Sequence, residues 1–449
     1  MFINFILKKF QKFIKPVYTR SFVLQKIDWL IGLSIFLTII TSTFAQSDNI
    51  GYFAMFAIIL TLVKLLTRPN EKFELTLGDK FLLMYFIFVV ISVAGSSLLY
   101  LSLKGFFKTL TYLGFYVSVI HYLKNNKDKI KWIFLVFCIC ASYETVFAFL
   151  QNFGAVEEIS GWQDMSHLNP EEVMTRVYGT VKPYNPNLFG GYMLSLIPSF
   201  LVLPFIFDKT KFLFSWKIRP ALLIIALLFG LLSITALVLT GCRGAYIGFF
   251  FIVLTLVCIL YKLLKPELQK TFTMLVGFGT LAISLIIVST TALRARILSI
   301  FAMRSDSSNS FRFNVYQSCI QMFKDNWLLG IGCGNQNFRE VYGLYMKTGF
   351  DALSAYNIYL ETAVESGIFA LLAFISFLGV YIYKSFKFIF SNKTIEAVYV
   401  LSALLSIIGM LTHGFVDTVF FRPQIQFTFW IMVGIIRVGV NIKENHGDV

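Results

Sequence analysis

The sequence predicts an all-α, polytopic integral membrane protein with about twelve transmembrane helices. Its composition is the first indication, because 57% of the 449 residues are hydrophobic and only 14% are charged, a balance that soluble globular domains do not have. Long apolar runs are the second indication, and the alternation of basic residues between the connections is the third. We expect one helical membrane domain over residues 27–440, between an N-terminal segment, 1–26, and a short tail, 441–449.

Twelve apolar runs are long enough to cross a bilayer as a helix, which takes about 17–25 residues. They lie near residues 28–46, 50–66, 81–101, 103–122, 132–153, 187–207, 220–240, 244–264, 272–291, 356–382, 395–416 and 424–440. Most of these runs contain almost no charged residues, as expected for helices that face lipid.

The connections between the runs form two alternating sets, one rich in lysine and arginine and one poor in lysine. Basic connections collect on the cytoplasmic side of a membrane protein. The basic set comprises residues 1–26, 64–80, 124–131, 208–219, 262–270, 384–393 and the segment after 437. The outward set comprises residues 47–49, 102–103, 154–186, 241–243, 292–355 and 413–423. Both termini are therefore predicted to be cytoplasmic.

The same pattern explains the net charge of +15. The lysines cluster in short connections, where they orient the protein and contact anionic lipid headgroups, so nucleic acid is not expected as a partner. Residues 1–26 carry six basic side chains and no small-residue cleavage site. This segment is therefore interpreted as an amphipathic cytoplasmic lead-in and not as a signal peptide.

Two of the outward segments are long. Residues 154–186 are acidic and polar. Residues 292–355 form the largest segment outside the spans, and the serine-rich run at 305–310 suits a helix N-terminus. Apolar residues recur at helical spacing over 311–327, which predicts an amphipathic helix at the membrane surface. The glycine-rich run that follows, 330–335, is typical of a turn.

Isolated arginines on the lysine-poor face are the strongest functional signal in the chain. Arg243, Arg312 and Arg422 lie at or between spans on that face, where insertion topology does not explain them. A guanidinium group presents a planar fork of donors and keeps its charge, which suits phosphate or carboxylate recognition. Interfacial snorkelling of Arg243 and headgroup contact by Arg312 are the structural alternatives.

Other polar side chains near this face extend the candidate site. His413 and Asp417 are four residues apart, and on one helix face the carboxylate would fix the imidazole tautomer and raise its basicity. A structural pair that locks helices together is the alternative. Glu361 is shallow enough in the tenth run to face a cavity, and Asn187 opens the sixth run, where a polar cap is the plain interpretation.

No metal or cofactor is predicted. The six cysteines show no metal-ligand spacing, and the chain has no Walker motif. Cys319 and Cys333 lie in the same outward segment and can pair, although free thiols are favoured.

Several short motifs, mostly in the C-terminal half, resemble the O-antigen ligase/polymerase superfamily in their residues, order and spacing. They comprise residues 185–188, 241–245, 310–312, 330–334, 355–361 and 365–368. Residues 353–357 and 413–423 are most similar to one branch of that superfamily, which has been labelled as inorganic carbon (bicarbonate) transporters.

The resemblance implies a GT-C-type membrane glycosyltransferase of the bacterial inner membrane, with its active face towards the periplasm or exterior. Such ligases and polymerases, including those of lipopolysaccharide biosynthesis, transfer a glycan from an undecaprenyl-diphosphate carrier to an acceptor without a metal. By motif, Arg243 and Arg312 would bind the donor diphosphate. Arg422, Asn187 and Asn357 are the further residues expected to bind substrate.

One position departs from the ligase pattern. Ligases carry a histidine before the asparagine of the tenth-span motif, where it activates the acceptor, and here that position is Tyr356. A phenol with a pKa of about 10 is a poor base at neutral pH. The candidate catalytic groups are therefore Tyr356 itself, His413 held by Asp417, and Glu361.

Two other functions stay open on the sequence. The arginines suit the vestibule of a transporter for bicarbonate or another small anion, and the loss of the histidine suits a non-catalytic lipid-binding homologue. If the chain is a transferase, its acceptor is a lipid A core, a protein, a growing polymer or another lipid.

Overall fold

The computed structural model describes residues 2–156, 174–207 and 219–441. Most of the acidic outward segment, most of the connection at 208–219 and most of the predicted tail lie outside these residues. The described chain consists of α-helices, short 3-10 turns and loops. Its α-helices are α1 Phe2–Arg20, α2 Phe22–Gln25, α3 Ile27–Phe44, α4 Ser47–Thr67, α5 Leu77–Ala94, α6 Leu99–Asn125, α7 Ile130–Asn152, α8 Pro186–Leu196, α9 Pro220–Leu239, α10 Arg243–Leu263, α11 Pro266–Ser289, α12 Thr291–Leu298, α13 Ser307–Asp325, α14 Asn335–Tyr342, α15 Ile358–Ser391, α16 Ile395–His413 and α17 Pro423–Val440.

The structure confirms a polytopic all-α membrane protein. Among the described residues, eleven helices are long and apolar enough to cross a membrane, the fifth of them being α8 together with the 3-10 turns that continue to Phe205. The remaining long helix, α6, has 27 residues and packs between α4 and α17. Helix α6 is not apolar enough to be counted among the eleven, partly because Lys104 and Lys108 lie in its first three turns. The connection predicted at 102–103 was wrong, because the turn lies at 95–98.

The centre of the bundle is formed by α16 and α17. Helix α17 packs against α3, α6, α15 and α16, and α16 also contacts α8 and α10. Both helices are apolar on most of their circumference, which is typical of a helix enclosed by others. By contrast, α11 has no buried residue and lies at the edge of the bundle.

The N-terminal segment is held against the connection between α4 and α5. The Asn4 side chain exchanges two hydrogen bonds with the Phe73 backbone, at 3.0 and 2.9 Å. Gln11 donates to the carbonyls of Leu65 and Glu71, at 2.8 and 3.0 Å. Helix α1 thus lies on the face where the connections are basic, which we call the lysine-rich face. The opposite face is the lysine-poor face.

A charge network is buried at the lysine-rich face. Lys64 is fully enclosed, contacts Asp28 at 2.7 Å and donates to the carbonyl of His121 at 2.8 Å. Arg68 also pairs with Asp28, and the His121 ring lies 3.0 Å from Glu71. We call these five residues the Lys64 network.

A second buried network lies beside it. Asp79 accepts hydrogen bonds from Arg437 at 3.0 Å, Tyr116 at 2.8 Å and Tyr381 at 2.9 Å. Asp79 also forms a capping box with Thr76 at the start of α5, which satisfies donors that a helix end leaves open. One carboxylate therefore ties together α5, α6, α15 and α17, and we call this the Asp79 network.

The lysine-poor face carries α12, α13 and α14. The predicted amphipathic helix is α13, and it begins at Ser307, earlier than expected, because the Asp306 side chain caps it. The segment after α13 is bound to α15 by backbone hydrogen bonds, Ile331 to Val364 at 3.0 Å and Ile368 to Trp327 at 2.9 Å. These bonds form where α15 is interrupted at Gly367, whose φ is 79°. Cys319 and Cys333 are free and buried, as are most of the cysteines.

Candidate functional site

Four arginines line one cavity of about 220 Å³ on the lysine-poor face. Arg243 and Arg312 were expected there, and Arg176 and Arg296 join them. They come from four separate parts of the chain, the loop before α8 and the helices α10, α12 and α13. We call this space the arginine cavity. Four guanidinium groups around so small a volume provide a positive site with many directed donors.

Arg243 is held at the first turn of α10. Gly241 takes a φ of 59° in the preceding turn, a conformation that favours glycine, and its carbonyl accepts from Arg296 Nε at 2.7 Å. The Arg243 guanidinium pairs with Asp306 at 2.9 Å and donates to Ser299 at 3.2 Å. A cation at a helix N-terminus opposes the helix dipole, and the Asp306 carboxylate offsets that cost.

Arg312 is less completely satisfied. It donates to Ser308 Oγ at 2.7 Å and lies 3.5 Å from Asp417. Its guanidinium carbon lies 5.7 Å from the centroid of the Tyr356 ring, within the range of a cation–π interaction. The Nε–H group is buried and has no hydrogen-bond partner in the part of the chain that the structure describes. An unsatisfied buried donor is costly, so an anionic ligand in the cavity would relieve it.

Asn187 links the cavity to the turn after α16. It accepts from Arg176 and donates to Asp417 at 2.9 Å. The cap of α8 is not Asn187 but Asn185, whose side chain accepts from the backbone of Asn187 and Leu188. Asn187 is therefore left to position Arg176 and Asp417.

The predicted pairing of His413 with Asp417 on one helix face is wrong. Helix α16 ends at His413, and Asp417 lies in the turn beyond it, where it accepts from Asn187 and from the Thr418 backbone. The His413 ring nitrogen Nε2 instead lies 3.5 Å from the Cys242 sulfur. Burial raises the pKa of the Cys242 thiol, but the His413 imidazole outweighs it, so the pKa lies below its ordinary value.

A second, larger cavity of about 840 Å³ adjoins the arginine cavity. The two share Asn187 and Asp417 in their walls. Tyr356 and Glu361 line the larger cavity, as expected of catalytic candidates, and so does Arg422. Arg422 therefore does not join Arg243 and Arg312. The Glu361 carboxylate accepts from the Ala355 backbone at 3.0 Å.

Tyr356 lies at the boundary between the cavities. Its ring faces Arg312 and its backbone has a φ of 51°, a left-handed conformation that is uncommon for a bulky residue. Burial raises the pKa of Tyr356 above its ordinary value. The phenol is therefore neutral at neutral pH and is a weaker candidate for a base than it was from the sequence.

Asn357 has a different place from the one expected. Its side chain caps α15 by accepting from the backbone of Tyr359 and Leu360, at 2.9 and 3.0 Å, and donates to Phe415 at 3.1 Å. It thereby fixes the turn that carries Tyr356. Substrate contact by Asn357 stays a prediction.

Four basic residues that line these cavities were missed from the sequence, Arg176, Arg296, Lys108 and Arg339. Arg176 lies in an acidic segment, so from the sequence it is readily interpreted as a counter-charge to the neighbouring acidic residues. Arg296 follows Arg294 by two residues, and spacing alone does not show which of the two faces the bundle. Lys108 lies inside the predicted run at 103–122, but it was not singled out there. An ionisable residue inside an apolar helix is a usable signal, and it would have identified Lys108.

Some of the residues that line the two cavities lie in a segment that matches a known protein family. Residues 225–375 match the family model of the O-antigen ligase, which confirms the resemblance to the O-antigen ligase superfamily over that segment. The match includes Arg243, Arg296, Arg312, Tyr356 and Glu361. No curated protein matches the chain. The similarity to the bicarbonate-transporter branch stays a prediction.

Proposed function

We propose that this chain, whose residues 225–375 match the O-antigen ligase family, transfers a glycan from a polyprenyl-diphosphate carrier to an acceptor. The observation that carries the proposal is the pairing of two cavities, one lined by four arginines and one larger, with Asn187 and Asp417 in both walls. A donor and an acceptor bound separately would then meet at Asp417.

The arginine cavity fits the diphosphate of the donor. At about 220 Å³ it lies below the range of about 300 to 1,000 Å³ that is usual for larger ligands, so it suits a compact charged group. Arg312 has a buried donor without a partner among the described residues, and a phosphate oxygen would accept from it. Fixed guanidinium groups also stabilise the charge that develops as the diphosphate leaves.

The larger cavity, of about 840 Å³, suits the acceptor glycan. An acceptor hydroxyl attacks the anomeric carbon, the bond from that carbon to the diphosphate oxygen breaks, and the configuration inverts. The hydroxyl proton passes to a base near the boundary, and the diphosphate leaves as an anion held by the arginines. Asp417 is the carboxylate that lines both cavities, and we assign it as that base.

Tyr356 acts through Arg312 in this scheme. Its ring faces the guanidinium at 5.7 Å, and its neutral phenol does not compete for the proton. His413, paired with Cys242, holds the turn before Arg243 in place. Both are therefore positioning residues, and Glu361 contributes to the wall of the acceptor cavity.

Both cavities lie on the lysine-poor face, which we place at the periplasmic or outer side of a bacterial inner membrane, with both termini cytoplasmic. A transporter must expose its site to both sides in turn. Two adjoining cavities on one face favour transfer between two substrates over transport of one.

The test is binding of undecaprenyl diphosphate to the purified full-length protein. Wild type is expected to bind, and Arg243→Gln and Arg312→Gln are each expected to lose most of that binding. The matched control is Arg304→Gln, a neighbouring arginine that contacts Phe313 and Asn314 and is expected to leave binding unchanged. A wild-type protein that does not bind, or an equal loss in all three variants, would contradict the proposal.

A further inference from the structure

Two cations of the larger cavity have no partner among the residues that the structure describes. Lys108 and Arg422 both line it, and neither side chain forms a hydrogen bond or ion pair within residues 2–156, 174–207 and 219–441. Arg339, in the same wall, pairs with Asp351 at 2.6 Å. Arg243 and Arg312 of the arginine cavity also contact carboxylates. Lys108 and Arg422 thus differ from Arg339, Arg243 and Arg312, which pair with carboxylates.

Helix register places the two side chains at one level. Helices α6 and α17 run in the same direction, and Tyr112 packs against Phe427 with ring centroids 5.1 Å apart. One turn further, Tyr116 packs against Trp430 at 5.3 Å. Lys108 precedes Tyr112 by one turn and Arg422 precedes Phe427 by five residues, and each turn rises about 5.4 Å. The two cations therefore lie at a similar depth in the wall of the same cavity.

Lys108 is an exposed cation on a helix that is otherwise mostly apolar. It lies about 14 Å along α6 from the first residue of that helix, at about 1.5 Å per residue, and ionisable side chains at such depth usually mark a ligand path. Arg422 precedes Pro423, the first residue of α17, so the positive end of that helix dipole adds to the charge.

The same cavity carries acidic groups, at a different part of its wall. The carboxylates of Glu361 and Glu365 accept from backbone N–H groups, those of Ala355 at 3.0 Å and Gly334 at 2.9 Å. Asp417 lies at the boundary with the arginine cavity. The larger cavity therefore offers cations beside α6 and α17 and carboxylates beside α15, which suits a ligand with both an anionic group and hydroxyl groups.

We propose that Lys108 and Arg422 bind the anionic group, a carboxylate or phosphate, of an acidic acceptor glycan. The inference rests on the proposed function in one respect, that the larger cavity holds the acceptor. It adds the substrate class, an acidic sugar or sugar phosphate, and two residues that select it over a neutral sugar. The donor diphosphate has its own cations in the arginine cavity.

The test measures binding of three soluble probes, D-glucuronic acid, glucose 6-phosphate and D-glucose, to the purified full-length protein by saturation-transfer NMR. The two anionic probes are expected to bind and glucose is not. Lys108→Gln and Arg422→Gln should each weaken anionic-probe binding about tenfold, the loss of one charge-assisted hydrogen bond. Lys104→Gln removes the same charge one turn away, where Lys104 contacts the Tyr100 ring, and should leave binding unchanged.

Three results would overturn the proposal. The first is equal binding of glucose and the anionic probes, or no binding of any. The second is displacement of both anionic probes by phosphatidylglycerol, with no competition between glucuronic acid and glucose 6-phosphate, which would assign the two cations to a lipid headgroup. The third is loss of undecaprenyl diphosphate binding in Lys108→Gln, which would make them part of the donor site.

The failure of this inference is distinguishable from that of the proposed function. Arg312→Gln should abolish undecaprenyl diphosphate binding and leave glucuronic acid binding intact, and Lys108→Gln should do the reverse. Sugar-acid binding that depends on Lys108, in a protein that does not bind the diphosphate, would support the anion site and reject the transfer.

Discussion

The charged side chains at the two faces of the bundle differ in how completely the protein pairs them. At the lysine-rich face, the charges of the Lys64 and Asp79 networks are matched by opposite charges or hydroxyl groups of the protein itself. At the lysine-poor face, cations line open cavities. Within the described part of the chain, Arg312 keeps a donor without a partner, and the exposed Lys108 and Arg422 pair with no carboxylate. The first arrangement stabilises the fold, and the second is suited to a ligand.

The physical basis of this difference is desolvation. A buried ion costs several kcal/mol unless a partner compensates it, so a completed network gains nothing from a further ligand. A cation beside a cavity with unused donors gains from any anion that enters. Substitutions at the first face should therefore change stability, and substitutions at the second should change binding.

The largest effect is expected for Asp79→Ala. Removing this carboxylate leaves Arg437 buried without its charge partner, which costs about 3 to 5 kcal/mol. Thermal unfolding of the purified protein in detergent measures the loss. The control is Glu74→Ala, which breaks an exposed ion pair with Lys124 and should cost about 1 kcal/mol or less. Similar losses in both variants would remove the distinction between the networks and ordinary surface pairs.

A slightly smaller effect, on function only, is expected for Arg312→Gln. Loss of one preorganised donor to a leaving group lowers the rate about 100- to 1,000-fold, while the midpoint of thermal unfolding should stay near that of wild type. Arg68→Gln, in the Lys64 network, should show the opposite pattern. Glycan transfer in membranes and thermal unfolding of the purified protein are measured for both. If Arg312→Gln lowered the midpoint of thermal unfolding as much as Arg68→Gln, the proposed difference between the two faces would be contradicted.

Tyr356 gives a moderate effect that separates its two possible roles. If the ring positions Arg312, Tyr356→Phe should keep near wild-type transfer, and Tyr356→Ala should lose about 1 to 2 kcal/mol of transition-state stabilisation, typical of a desolvated cation–π contact. If the hydroxyl were the base, both variants would be equally inactive. Rates of transfer at saturating donor decide between these outcomes.

The smallest effect concerns pH at the lysine-rich face. Burial raises the pKa of Glu71, but its hydrogen bond with His121 and the charges of Lys64 and Arg68 lower it by more. Its contribution to stability is therefore full above the ordinary value of 4.5 and is lost as the pH falls through the folded-state pKa. Glu71→Gln should destabilise the protein at neutral pH and should be nearly equal to wild type in acid. A constant difference at all pH values would contradict this.

Much of the fold follows from patterns that the sequence shows directly. Apolar runs identified the spans because bilayer thickness sets their length, and the serine-rich run at 305–310 indicated the start of α13. The start of α6 was misplaced by four residues, at 103 and not at Leu99. Lys104 and Lys108 lay inside the predicted run at 103–122, but they were not singled out as charges within a span.

The site was only half predictable, because it is assembled from distant segments. Arg243 and Arg312 were singled out because they were isolated charges, whereas Arg176 and Arg296 meet them only in the folded bundle. The pairing of His413 with Asp417 failed because helical spacing was extended past Gly414. A glycine after an apolar helix is a common end signal, and it would have placed Asp417 in the turn.

Helix α11 lies at the edge of the bundle, and this position makes its sequence replaceable. None of its 24 residues is buried, and its main contacts are with its neighbours α10 and α12. Its stability then comes from the surrounding lipid and from its own backbone hydrogen bonds. Its side chains contribute almost nothing to the packing of the bundle. Any apolar helix of the same length should replace it. The segment is thus a natural place for a fluorescent or affinity label, next to α12 with its Arg296, that leaves the two cavities undisturbed.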